Sequence, residues 1–100
     1  MTEHVDLLVS VLVDDMDTTE VAPGIVRRAL PGGARVFDFL PGSVWPETDH
    51  HTSDENIYVA SGELIDGGRR YPAGSYLHYR PGSSHRPGTE SGARILVFGP

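Results

Sequence analysis

Cysteine and lysine are both missing from this chain of 100 residues. Without cysteine there are no disulfides, no thiolate nucleophile, no Cys-type zinc site and no iron–sulfur cluster. Without lysine there is no Schiff-base chemistry and no P-loop lysine, and all eight basic residues are arginine. Long apolar runs are also lacking, and none approaches the roughly 20 residues that span a bilayer. The start, Met1–His4, has no basic stretch ahead of an apolar one, so no secretory signal is read and a cytoplasmic location is expected. Positive charge is scarce. Fourteen acids against eight bases leave a net charge of −6, the wrong sign for gripping a phosphate backbone, so neither nucleic acid nor membrane is an expected partner. Chemistry is left to His, carboxylate, Tyr, Ser, Arg and a bound metal.

What is abundant is punctuation. Twelve Gly and eight Pro cut the chain into pieces that suit strands better than helices of about eleven residues. The candidate strands are Val5–Val13, Gly24–Leu30, Ala34–Leu40, Asn56–Ala60, Glu63–Ile65, Ser75–Arg80 and Arg94–Phe98. Most are rich in Val, Ile, Phe and Tyr. Pro31-Gly32-Gly33, Pro41-Gly42, Asp66-Gly67-Gly68 and Pro81-Gly82 supply the turns, pairing a fixed φ with a freely positive one. In Val5–Val13, residues Leu7, Leu8, Val11 and Leu12 also fit a helical face; the strand is the reading adopted. Seven of its nine residues are apolar, too many for an exposed edge in a small monomer, so a homodimer is expected. The whole predicts an all-β single domain over 1–100, with an N-terminal arm or edge strand over 1–23 and a barrel over 24–98.

Histidines and carboxylates gather in two places. The first runs Asp49-His50-His51-Thr52-Ser53-Asp54-Glu55 and leads into Asn56–Gly62. The second is Gly74–Arg80 followed by Pro81-Gly82-Ser83-Ser84-His85. In the strand after Glu55, alternation sets Glu55, Ile57 and Val59 on one face and Asn56, Tyr58 and Ala60 on the other. A carboxylate heading an apolar face points inward, where it needs a cation or a proton to offset desolvation. A metal held with imidazoles meets that need.

The spacing here resembles the cupin superfamily. Glu55, six residues and then Gly62 are similar to the close of the first cupin motif, with His51 at its second histidine. Gly74 through Pro81-Gly82-Ser83-Ser84-His85 resembles the second motif, which ends on a metal-binding histidine. Trp45-Pro46, Asp49, His51, Glu55–Gly62 and Tyr71-Pro72-Ala73-Gly74 look like the small cupins related to anti-sigma-factor cupin domains. The resemblance covers about Gly24 to Phe98. It implies a jelly-roll barrel of two antiparallel sheets, a homodimer, and a divalent metal held by Asp49, His51, Glu55 and His85.

Two departures stand out. The family's usual first histidine is Asp49 here; alternation lets Asp49 and His51 converge while His50 points away. Two carboxylates and two imidazoles favour zinc, iron, manganese or nickel over a soft metal. The second departure is Arg86-Pro87-Gly88-Thr89 after His85, where the family often has Asn. The resemblance implies a pocket for a small polar or oxygenated ligand, served by a metal-dependent dioxygenase or isomerase, with no catalytic residue assigned. The alternative is a non-catalytic metal or ligand sensor of the anti-sigma cupin type. His4 and His50 are read as surface residues. His78 shares a face with Tyr76 and Arg80, as a pocket acid/base or an outer-face residue. Trp45 is read as a rim or core aromatic. Ser83, Ser84 and His85 lack a Gly-x-Ser-x-Gly elbow, which argues against a hydrolase.

Overall fold

The computed structural model describes residues 7–99. Nine strands follow one another: β1 (Thr19–Ala22), β2 (Ile25–Ala29), β3 (Arg35–Phe39), β4 (Asp49–His50), β5 (Glu55–Asp66), β6 (Arg69–Pro72), β7 (Tyr76–Tyr79), β8 (Ser84–His85) and β9 (Ala93–Phe98). No α-helix occurs among the described residues; single 3-10 turns stand at Val13–Asp15 and Pro31–Gly33. Every pairing is antiparallel. Seven strands run in the order β1-β2-β3-β9-β5-β6, with β7 also on β5, and β4-β8 form a separate two-stranded sheet. The path ends at β1 and β6 without joining them, so this is a jelly-roll sandwich rather than a barrel closed by hydrogen bonds.

β5 belongs to both walls. Its first half, from Glu55 to Tyr58, pairs with β7, and its second half, from Glu63 to Asp66, pairs with β6. Between the halves the register against β9 shifts around Val59 and Ser61, and an extra residue of this kind bends a strand. Two expected strands, Asn56–Ala60 and Glu63–Ile65, are thus one strand, irregular between Val59 and Ser61 and with Gly62 at a φ of +72°.

Alternation builds the core. On β9 the residues Ala93, Ile95 and Val97 are buried between outward-facing neighbours. They meet Ile25, Phe39, Ile57, Val59, Leu64 and Leu77 in one apolar cluster. On the outer side Asp38 takes Arg28 and Arg94 together, and Arg94 reaches on to Asp14 at 2.6 Å. That last hydrogen bond holds the Asp14 carboxyl below its ordinary value and ties the Val13–Asp15 turn to the sheet.

The strand expected at Val5–Val13 is not formed over its described part. His4, Val5 and Asp6 lie outside the described residues, while 8–12 have no regular structure and Val13 opens a 3-10 turn. The physical reason is pairing: β1 supplies the edge of the sheet further along, at Thr19–Ala22, and the arm finds no neighbouring strand. Its apolar side chains stand in solvent, Leu7 at 89% and Leu12 at 73% exposure.

Candidate metal centre

A very short hairpin-like pair sets the geometry. In the β4–β8 pair Asp49 lies directly opposite His85, and His50 opposite Ser84. Opposed residues share a face, so Asp49 and His85 turn inward together while His50 and Ser84 are exposed. The backbone continues the pairing for one more residue: the His51 amide donates to the Ser83 carbonyl at 2.9 Å, and the Gly82 amide to the His51 carbonyl at 2.9 Å. His51, two beyond Asp49, therefore returns to the inner face. Glu55 arrives from the large sheet, opening β5 on the side of buried Ile57 and Val59.

The structure thus brings together all four residues expected from the sequence. Their donor atoms lie within 4.8 Å of one another. His51 Nδ1 is 3.6 Å from Glu55 Oε2, and His85 Nε2 is 3.6 Å from both Asp49 Oδ2 and Glu55 Oε1. They arrive by separate routes: a turn through Thr52–Asp54 separates His51 from Glu55 at the start of β5, and His85 comes in on β8, which pairs with β4.

These separations are too long for hydrogen bonds. Nitrogen and oxygen ligands about 2.1 Å from a tetrahedral ion would lie about 3.4 Å apart, close to what is seen. Both imidazoles are buried, and burial pushes the His85 pKa below its ordinary value of 6.5, against the opposing pull of Glu55. A neutral ring offers a lone pair. The ring nitrogens remote from the cluster, His51 Nε2 and His85 Nδ1, are buried without a hydrogen-bond partner; with the proton on them, the facing nitrogens would be free to ligate. Two carboxylates and two such nitrogens make a concentration of acceptors with no donor among them. The four-residue cluster could hold a divalent cation, and the residues fit one.

Sequence reasoning missed the support around this cluster. Tyr79 lies against both rings, its centroid 4.4 Å from that of His85 and 5.4 Å from that of His51. Its hydroxyl donates to Asp66 at 2.8 Å. Burial and that carboxylate raise its pKa far above the ordinary phenol value, so it remains a donor. The signal was available: Tyr79 is two residues beyond buried Leu77, on the same strand face. Arg86, in the segment that departs from the family pattern, donates from Nε to the Trp45 carbonyl at 2.8 Å. Trp45 itself meets Phe37 edge to face at 5.9 Å and lines the interior. His78 lies on the outer face, with Nδ1 2.6 Å from Asn56 and Nε2 3.4 Å from Asp54; it has no part in the cluster.

Beside the cluster is a cavity of about 70 Å³. Asp49, Glu55 and His85 contribute to its lining, with Phe37, Trp45, Ile57 and Ile95 among its apolar residues and Arg35 its one arginine.

Comparison with known proteins agrees with this architecture. A chain in the crystal structure of Rhodobacter sphaeroides SigE in complex with the anti-sigma ChrR superposes with a TM-score of 0.77 at 24% identity, over 86% of this chain and 50% of that one. This chain therefore spans about half the length of that relative. A predicted oxalate decarboxylase from Thermotoga maritima gives 0.75 at 16% identity, covering 89% of this chain and 96% of its own. The polyketide cyclase RemF from Streptomyces resistomycificus gives 0.76 at 21%, covering 90% and 77%. At these identities the likeness is one of fold. No curated protein matches the chain. The model of the ChrR cupin-like domain matches residues 8–99, and with nearly the whole chain inside that match, the protein belongs to the ChrR cupin-like domain family of cupins.

Proposed function

We propose that this cupin binds one divalent metal ion through Asp49, His51, Glu55 and His85 and presents it to a small ligand in the adjoining cavity. The observation that supports this most directly is the convergence of four lone-pair donors from β4, β5 and β8 beside that cavity. Zinc, iron, manganese and nickel all suit two imidazoles and two carboxylates. When bound, such an ion polarises an oxygenated ligand or, if redox-active, activates dioxygen. The residues of this chain do the rest: Tyr79 fixes the two rings, and the apolar lining excludes water. A metal-dependent dioxygenase or isomerase requires the ion to keep a position open to the cavity beyond its four protein ligands. The fold shared with a protein from an anti-sigma complex supports a second reading, a metal or ligand sensor without turnover.

Elemental analysis of the purified protein, with X-ray absorption spectroscopy to count ligands, tests both. One metal per chain with one or more water ligands is expected. Four-coordinate zinc without water would instead favour the sensor. Substoichiometric metal after loading with zinc, iron, manganese or nickel would sink the metal reading.

The domain is proposed to act in the cytoplasm as a homodimer, with residues 24–98 as the barrel and 1–23 as the arm. The support is the arm, where Leu7, Leu8, Val9 and Leu12 are each about two-thirds exposed or more. Burying one leucine contributes about 1.5–3 kcal/mol, so several together favour association. Light scattering at micromolar concentration should give a dimer, and Leu8→Asp with Leu12→Asp should give a monomer. A wild-type monomer would count decisively against the proposal.

A further inference from the structure

Of the five arginines that form no ion pair among the described residues, Arg35 alone lines the cavity beside the cluster. Arg28 and Arg94 share Asp38, and Arg70 holds Glu63 and Glu90. Arg35 forms no ion pair among the described residues; its one side-chain hydrogen bond runs from Nη1 to the Gly33 carbonyl at 3.3 Å. Yet Arg35 lines the cavity. Alternation along β3 sets it on the face of Phe37 and Phe39, across from Val97 on β9, and all three also line that space. The side chain is partly exposed, with Nη1 at the surface turn of Gly33, and its planar fork matches a carboxylate.

We propose that Arg35 is the anion-recognition residue of the cavity, and that the ligand is a short-chain aliphatic carboxylate. The size follows from the volume. A cavity of about 150 Å³ admits benzene; one of about 70 Å³ takes a body of about three or four carbons. The apolar lining selects against a bare, strongly hydrated anion such as inorganic phosphate. The assignment rests on the metal reading in one respect: Asp49 and Glu55 line the same cavity and repel an anion unless a divalent ion neutralises them. Carboxylate binding is therefore tighter in the metal-loaded protein, while its dependence on Arg35 is the same in both states.

The test is a titration of isotope-labelled protein with butanoate, butanamide and inorganic phosphate, followed by NMR. Zinc-loaded and metal-free forms are compared for the wild type, Arg35→Gln and Arg35→Lys. Zinc stoichiometry is measured first and should be equal in all three. Butanoate should shift the resonances of Phe37, Ile95 and Val97, and its affinity should fall about 10–100-fold in Arg35→Gln, the loss of a charged hydrogen-bonded pair. Arg35→Lys should fall less, and it provides the comparison if the glutamine variant does not fold. Butanamide and phosphate should bind far more weakly than butanoate. Equal butanoate affinity in the wild type and the variants would overturn the assignment. So would butanamide or phosphate binding as tightly as butanoate, or no butanoate binding up to about 10 mM. Failure of zinc to load would sink the metal reading alone; Arg35 is then judged by the difference in butanoate affinity between metal-free wild type and metal-free Arg35→Gln, which carry the same carboxylate repulsion.

Discussion

His85→Ala should lose at least about 100-fold in metal affinity, whereas His50→Ala should retain its metal through dialysis. Substitutions one shell further out already cost about 10–100-fold in well-studied metal sites, so removing a ligand itself should cost no less. The two histidines differ in one structural respect. In the β4–β8 pair His85 shares the inner face with Asp49, and His50 shares the outer face with Ser84. Emission spectrometry on dialysed wild type, His50→Ala, His85→Ala and Asp49→Asn should therefore rank them in a definite order. Asp49→Asn belongs between the extremes, because its side chain is 48% exposed and water can take its place. Equal retention in all four would end the metal assignment. An empty site in His50→Ala with a full one in Asp49→Asn would preserve a site but refute the alternation that orients β4. Burial holds the His85 pKa below 6.5, so proton competition at this ligand begins at a lower pH than for a solvated histidine. Metal content in the wild type should accordingly persist somewhat below pH 6.5 rather than fall there.

The four donors were legible because each carries a local signal. Glu55 heads an alternating apolar strand, Asp49 and His51 are two apart, and His85 closes a Pro-Gly turn. Their convergence was implied by the family resemblance; the pairing that produces it was not legible, since β4 meets β8 over only two residues each, too short to show as a pattern in sequence. The same limit explains why β1 and β6 went unread: stretches of four residues such as Thr19–Ala22 or Arg69–Pro72 are too short for alternation to register as a strand. Val5–Val13 failed in the opposite way. Its apolar content was real, but a strand is a relation between two segments, and the described part of the arm has none to pair with. Arg35 escaped notice because a basic residue at a strand start ordinarily lies on the surface, and only the fold shows that its face is the inner one.

Gly62→Ala should be the most damaging single methyl group that can be added to this protein. Gly62 ends the first sequence motif, seven residues after Glu55, and its φ is +72°, a conformation that costs an L-residue about 1–2 kcal/mol. The second cost is contact. A β-carbon there would lie 2.0 Å from the Gly92 carbonyl oxygen, 2.8 Å from its carbon and 2.9 Å from the Ala93 α-carbon. All three are backbone atoms of the adjoining turn and strand, so no side chain can swing aside. They are also held in place: the Glu63 amide donates to that same Gly92 oxygen at 3.1 Å, and the Ala73 amide donates to the Gly62 carbonyl at 3.0 Å. Overpacking of this sort costs about 1–3 kcal/mol or more, giving a total of about 3 kcal/mol or beyond. Gly68 isolates the second cost. It has a similar φ, +76°, but nothing within 4 Å of the added carbon; Gly68→Ala should therefore cost only about 1–2 kcal/mol. At about 4–8 °C per kcal/mol for a domain of this size, thermal unfolding of metal-free protein should separate the two variants by at least about 5 °C. Because Gly62 joins the half of β5 that carries Glu55 to the half that pairs with β6, Gly62→Ala should lose metal in step with its fold. Gly68→Ala should keep it. Equal midpoints in the two variants would mean that β5 and the Gly92 turn do not approach each other this closely, and that the bend joining the two walls is placed wrongly.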